Sequence, residues 1–384
     1  MRPLRIVVIT GIFPPDIGGP ATYVPRVASF LAERGHRVSV VTLSDVPAYH
    51  GDMQLAFHVV RIARRAPIAL RMLATIATIV DLGWHADLLF VNGLQLETLT
   101  ANRLLRKPLT LKVVGDTAWE RARSRGWITD TFEEFQERRY HLKVELLRTL
   151  RAWWTRAADQ VIAPSQYLAE QIQRWGVQKE RIQVIYNSID PPPPAPALTI
   201  PLHTPLKLLT VARLMPWKHI DRIIDAVARL GGVGLVVVGD GPERARLEAL
   251  AMRHGINDRV YFAGTRSKPE VFALMGLCDI FVLNSTYEGF PHVLIEAMQA
   301  GMAVVATKAG GTVEVIEDRH TGRLIGQLND QELYSTLAEL IASTDERSRL
   351  ADGARRAATR FNFKQMVETS AILLEQTAKR RGVR

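Results

Sequence analysis

One cysteine, Cys278, stands among the 384 residues. No intramolecular disulfide can form, and a disulfide-stapled scaffold is excluded. The residue lies inside the apolar run MGLCDIFVL and reads as a small core side chain. Long apolar runs are also missing. None reaches the roughly 20 residues that a membrane-crossing helix needs, and the longest candidate, 66–84, is interrupted by Arg71 and Asp81. The opening MRPLRIVVITGIFPPD enters a Pro/Gly loop with no small-residue cleavage site, so it reads as a β-strand rather than a leader. These absences point to a cytoplasmic chain. Zinc-finger, homeodomain and RNA-recognition signatures are lacking, which leaves nucleic acid the weakest of the partners that a basic chain suggests. No Asp-x-Asp pair offers itself as a metal site.

What is present is ordinary in bulk and uneven in charge. Hydrophobic residues make up 47% and charged residues 23%, as in a soluble globular protein. The length exceeds what one core usually serves, so two domains are expected. Of the net charge of +10, most lies early: Lys and Arg outnumber Asp and Glu 25 to 17 in residues 1–185, and 24 to 22 thereafter. A basic first half suits an anionic substrate or an anionic membrane surface.

Short Val/Ile/Leu-rich runs alternate with helix-period segments throughout. Strands are expected at 4–10, 37–42, 57–62, 87–91, 109–114, 159–163 and 182–186, with helices near 20–34, 66–82, 95–106, 132–157 and 166–175. After NSIDPPPPAPALTIPLHTP (187–205), whose seven prolines read as an extended connector, the rhythm restarts. Strands fall near 206–212, 234–239, 259–262, 279–283 and 303–306, and helices near 218–230, 242–255, 268–276, 292–300 and 329–342. The expected fold is α/β, with two facing Rossmann-like doubly wound domains. Ligands of such sheets bind outside the carboxyl ends of the strands, which puts the expected site in a cleft between the domains. The expected divisions are 1–187, a connector at 188–205, 206–359, and a last helix at 360–384.

The densest chemical signal is NSTYEGFPHVLIEAMQAGMAVVATKAGG, 284–311. A loop with Glu288, Gly289 and Phe290 leads to Pro291, where a helix would begin. Its first N–H groups and dipole end suit a diphosphate. His292 and Glu296, four apart, share a helix face. Glu296 there can accept hydrogen bonds from a ribose diol, and Glu288 from sugar hydroxyls.

This segment resembles the E-x7-E signature of family 4 retaining glycosyltransferases with the GT-B fold, here Glu288 and Glu296. Three further stretches resemble the family in order: FPPDIGGPATYVPRVASFLAERGHRVSVVT (13–42), VARLMPWKHIDRIIDA (211–226) and VVVGDGPERARLEALA (236–251). The resemblance implies donor contacts at Gly18 and Gly19, phosphate-binding cations at Arg213 and Lys218, and further donor contacts through Glu288, Gly289, Phe290, His292, Val293, Leu294 and Glu296. Gly239-Asp240-Gly241 reads as a structural turn. The segment 360–381 matches the family's closing helix, which crosses back onto the first domain. A nucleotide sugar is the implied donor, with no metal and no other cofactor. Negative charge growing on the departing diphosphate would be met by Arg213 and Lys218. Retaining members need no enzyme nucleophile, and the leaving phosphate can take the acceptor's proton. His292 is a poor base, because a helix amino terminus disfavours its protonated form.

The chain departs from the family where histidine often follows the acceptor-side strands: Asn92 and Gly115-Asp116 stand there instead. Asp116 is a candidate catalytic residue, with a helix N-cap as its other reading. The GDTAWERA segment has no assignable role. Two segments, 66–84 after RIARR and 138–156 with Trp153 and Trp154, suit either a membrane surface or packing on the core. The expected activity is sugar transfer to a lipid-linked or polysaccharide-precursor acceptor. The alternatives are a small soluble acceptor, or a non-catalytic scaffold that binds a nucleotide sugar.

Overall fold

The computed structural model describes residues 2–16, 18–46, 48–189 and 193–381. It divides into two compact units, each a parallel sheet with helices on its faces. The first comprises Met1–Ala118, Tyr140–Tyr186 and Lys364–Arg384; the second comprises Trp119–Arg139 and Asn187–Phe363.

In chain order the first stretch runs β1 (Arg5–Thr10), α1 (Gly19–Glu33), β2 (Arg37–Ser44), β3 (His58–Ala63), α2 (Ile68–Trp84), β4 (Leu88–Asn92), α3 (Gln95–Leu105) and β5 (Leu109–Lys112). Then come α4 (Thr117–Ser124), α5 (Phe132–Glu137), α6 (Leu142–Ala157), β6 (Gln160–Ala163), α7 (Gln166–Arg174) and β7 (Ile182–Val184). The seven strands pair in the order β3-β2-β1-β4-β5-β6-β7, each parallel to its neighbours. Near-continuous apolar runs such as RIVVIT are buried from the second residue on, as a sheet covered on both faces requires.

The remainder supplies β8 (Leu206–Val211), α8 (Ile220–Arg229), β9 (Val233–Val238), α9 (Arg244–Arg253), β10 (Val260–Gly264), α10 (Lys268–Met275) and β11 (Ile280–Leu283). It continues with α11 (His292–Gln299), β12 (Ala303–Thr307), β13 (Arg323–Ile325), α12 (Asp330–Ala342), α13 (Thr344–Ala358) and α14 (Phe363–Arg381). Its six parallel strands run β10-β9-β8-β11-β12-β13. Both orders reverse once, at β1/β4 and at β8/β11, and these are the switch points at which open α/β sheets bind ligands.

A recurring aspartate sets the register. Asp87, Asp159 and Asp279 stand just before β4, β6 and β11. Each accepts a 2.8 Å hydrogen bond from a backbone N–H at the start of the neighbouring strand: Arg5, Leu109 and Lys207 respectively. Asp87 and Asp279 occupy equivalent places in the two sheets.

Helix α14 belongs to the first unit. Tyr23 of α1 donates to Ser370 Oγ at 2.8 Å. Buried Glu375 pairs with Arg34 at 2.8 Å and with His36 Nε2 at 3.0 Å. His36 Nδ1 in turn accepts from the Leu4 backbone at 3.1 Å.

Several boundaries differ from the sequence expectation. The first unit is not the continuous 1–187, because Trp119–Arg139 pack with the second. The single helix expected at 132–157 is two helices. A capping box of Thr131 and Glu134 starts α5, and the backbone turns extended at Arg138 before His141 restarts α6. The connector at 188–205 is only partly described, since Asp190, Pro191 and Pro192 lie outside the described residues. Of the rest, Ile189 and Leu202 are core side chains of the second unit rather than a detached strap. The short β13 and the whole of α13 had no counterpart among the expected elements.

Candidate functional site

The second sheet's switch point gathers the residues that carry the chemistry. Arg213 and Lys218 follow the carboxyl end of β8, and Glu288 follows that of β11. Lys218 Nζ donates to Glu288 Oε1 at 2.6 Å, the two side chains being 17% and 12% exposed. Arg213 sits on the same loop, exposed to solvent.

Backbone bonds hold the two loops against each other. Thr286 N–H donates to Trp217 O at 2.9 Å, and Asn284 Nδ2 donates to His219 O at 3.2 Å. His219 has φ 46°, a left-handed backbone that L residues take at a cost, and its Nε2 lies 3.3 Å from Thr286 Oγ1. Burial, the largest influence, lowers its pKa and favours the neutral imidazole.

Two glycines explain their motifs by close approach. A Cβ on Gly239 would lie 2.0 Å from Ala212 O, and one on Gly311 would lie 2.4 Å from Gly289 O. The first lets the turn after β9 lie against the Arg213 loop. The second lets Gly311 N–H reach Glu288 O at 2.8 Å, fixing that loop from below.

Helix α11 starts at His292 behind Pro291, and Leu294 N–H donates to Pro291 O at 3.1 Å in its first turn. Glu296, one turn on, is mostly buried, and Lys268 Nζ stands 4.0 Å from its Oε1. Burial raises its pKa and Lys268 opposes that rise. Leu294 is fully buried, and Phe290 packs edge-on against Phe361 at 5.6 Å, so both side chains belong to the core. Val293 and His292 are half-buried.

The remaining candidates lie in the first unit. Gly18 caps α1, and the Cβ position of Gly19 meets nothing within 4 Å, so the backbone there is open to close approach. Asp116 is fully buried. Its Oδ1 accepts from Ala118 N–H at 2.9 Å, and its Oδ2 accepts from Arg151. With its oxygens used for a helix start and an ion pair, it is placed as a structural carboxylate and not as one that touches substrate.

An aromatic cluster escaped the sequence reading. Trp119, fully buried, lies 5.2 Å from Trp217 and 4.9 Å from Tyr287, while Phe132 stacks on Tyr287 at 4.4 Å. Trp217 precedes Lys218 and Tyr287 precedes Glu288, so this cluster supports the ion pair. GDTAWERA thus acquires a role, supplying Trp119 beneath the site. The only signal was tryptophan in a segment without a function of its own.

The basic and aromatic segments resolve differently. Arg61 pairs with Asp52, Arg64 with Asp16 and Asp45, and Arg65 with Asp45, so RIARR is internally compensated. Trp153 and Trp154 pack against the first core. Helix α2 instead leaves Ile68, Leu70, Leu73 and Trp84 exposed by 68%, 61%, 63% and 58%. Among the described residues, no helix is long and apolar enough to cross a membrane, and no group of three or more His, Cys, Asp or Glu is placed to hold a metal.

Comparison with known proteins agrees with this architecture. Residues 17–192 match the model described as Glycosyltransferase Family 4, and 200–357 match Glycosyl transferases group 1. A GDP-mannose-dependent alpha-mannosyltransferase of Mycobacterium tuberculosis is 28% identical over 371 residues, covering 92% of both chains. The lipopolysaccharide core biosynthesis glycosyltransferase LpsE of Rhizobium meliloti is 30% identical over 211 residues. That match covers 51% of this chain and spans only 58% of LpsE. Among solved structures, Anabaena HepE in complex with UDP and glucose superposes with TM-score 0.77 at 24% identity, covering 97% of this chain and 99% of that one. WaaG, a glycosyltransferase of lipopolysaccharide biosynthesis, gives 0.70 at 20% identity, covering 96% and 99%.

Two doubly wound parallel units in one chain, shared with these structures, define the GT-B fold class. Within that class, the chain belongs to the family 4 glycosyltransferases.

Proposed function

We propose that this glycosyltransferase takes a sugar from a nucleoside diphosphate donor, with retention of anomeric configuration, and passes it to a lipid-linked or polysaccharide-precursor acceptor. The observation that carries the reading is the convergence at the β8/β11 switch point. Two cations, a carboxylate paired with one of them, and a helix amino end meet on loops braced by one aromatic cluster. Arg213, Lys218 and the start of α11 bind the diphosphate and stabilise the charge that grows on it as the glycosidic bond breaks. Glu288 holds sugar hydroxyls and Glu296 the ribose diol. The chemistry runs without a metal ion. A relative named for lipopolysaccharide core biosynthesis supports the acceptor class, and the exposed apolar side chains of α2 support docking on a membrane surface.

The test is a thermal-shift panel of nucleoside diphosphates and their sugars, with magnesium and with EDTA. One nucleotide family should raise the melting temperature equally in both, because binding to the native state stabilises it. NMR of the product anomer then reads retention. No response to any nucleotide from folded protein would overturn the donor assignment, and an inverted product would overturn retention.

A further inference from the structure

Residues 119–139 belong to the second unit, and of their side chains the donor site has so far drawn on the aromatic ones alone. Three arginines follow Trp119: Arg121, Arg123 and Arg125. Arg121 and Arg125 are exposed, whereas Arg123 is half-buried on α4, one turn after Trp119. Its guanidinium lies 6.0 Å from the centre of the Trp119 ring, and one of its amino groups donates to Thr129 O. Among the described residues no carboxylate pairs with it. Asp130, the acid whose charge reaches it, is bound to Arg138 at 2.5 Å. Burial, the largest influence, lowers the Arg123 pKa, and Asp130 opposes that fall. Arginine stays charged even so, and the fold holds a partly desolvated cation with no counter-ion on it.

Contacts place this cation beside the donor loops. The Trp119 ring under Arg123 lies 5.2 Å from Trp217 and 4.9 Å from Tyr287, the neighbours of Lys218 and Glu288. Arg123 is also close enough to His219 to help lower its pKa. Charge balance gives it a task there. Arg213 and Lys218 bring two positive charges, and Glu288 cancels one of them. The diphosphate of a sugar nucleotide carries two negative charges, and the freed nucleoside diphosphate carries about three at pH 7. One more cation is needed to match the bound donor, and the need grows as the glycosidic bond breaks.

We propose that Arg123 is a third phosphate-binding cation of the donor site, brought to it by α4. The proposal rests on the donor reading and adds to it a residue from the first half of the sequence. The diphosphate supplies the counter-charge that the fold withholds, and so offsets the cost of burying the guanidinium. Arg121 and Arg125 meet solvent and take no part.

The test is calorimetric titration of the full chain, in EDTA, with three probes. They are sodium pyrophosphate, the nucleoside diphosphate that the thermal-shift panel selects, and its bare nucleoside. Pyrophosphate reads the phosphate site without a base, and the nucleoside reads the rest of the pocket without phosphate. Arg123→Met keeps an apolar stem against Trp119 and removes the charge. It should weaken both phosphate probes about tenfold or more, and leave the nucleoside within about twofold. Arg123→Lys should recover most of the loss, and Arg125→Met should bind pyrophosphate like wild type. Wild-type pyrophosphate affinity in Arg123→Met, an equal loss in Arg125→Met, or no recovery in Arg123→Lys would overturn the assignment. So would an equal loss of nucleoside affinity, which marks a pocket disturbed through Trp119. The Arg213→Ala/Lys218→Met variant reports the donor reading separately. Weakened pyrophosphate binding there, with Arg123→Met unaffected, removes Arg123 alone, whereas wild-type affinity in that double variant removes the donor site itself.

Discussion

Lys218 Nζ and Glu288 Oε1 lie 2.6 Å apart, joining the loop after β8 to the loop after β11 in one ion pair. In the proposed reaction a diphosphate competes with Glu288 for this ammonium. Glu288 then stands beside an anion unless it turns to the sugar.

Glu288→Gln should therefore bind a nucleoside diphosphate severalfold tighter than wild type, because a repelling charge is removed while the hydrogen-bonding shape is kept. Transfer should fall at least tenfold, since the sugar loses a charged acceptor. Calorimetry with the diphosphate and a product assay read the two effects. Weaker diphosphate binding would show that Glu288 is not the competitor described.

Arg213 is exposed and its side chain has no partner among the described residues, so removing it costs little stability. Arg213→Ala should lower kcat by about 10²-fold, the usual cost of losing one preorganised charge-stabilising group, with acceptor KM within about threefold. Unchanged turnover in the folded variant would remove Arg213 from leaving-group stabilisation.

Glu296 is held above its ordinary pKa of 4.5 by burial, against the opposing influence of Lys268. The native state thus binds a proton more tightly than the unfolded chain. Its contribution to stability is greatest below 4.5 and declines as pH rises through the raised value. Glu296→Gln should flatten that part of the stability curve and raise the melting temperature at pH 7, while weakening nucleotide binding at least tenfold. Parallel curves for variant and wild type in urea melts across pH 4–8 would contradict it.

Trp119→Ala empties a fully buried site among Phe132, Trp217 and Tyr287, and should cost about 3–5 kcal/mol in urea unfolding. Trp119→Phe, which keeps an aromatic ring in the cluster, should cost less. If it folds, it should still raise the nucleotide KM through looser support of Lys218 and Glu288. An unchanged KM would confine the cluster to stability.

Much of this was legible along the chain. The alternation of apolar strands with amphipathic helices revealed both parallel sheets, and residues 284–311 carried enough local pattern to place Glu288, Glu296 and the start of α11. What stayed hidden depends on partners distant in sequence. Asp116 looked equally fit for catalysis and capping until Arg151, 35 residues away, was seen on it. Trp119 gained meaning only beside Trp217 and Tyr287. Nothing between 132 and 157 breaks a helix by composition, yet the chain turns there where it passes from one unit to the other. The arginines of RIARR advertised a basic surface that Asp16, Asp45 and Asp52 cancel.

The placement of α14 has a consequence for synthesis. The second unit is complete by Phe363, whereas the first is unfinished until α14 supplies Ser370 and Glu375 to Tyr23, Arg34 and His36. During translation the chain of the later half is fully made while the earlier half still lacks a wall. The unit made first is the last to close, and for that interval it depends on whatever shields its exposed core.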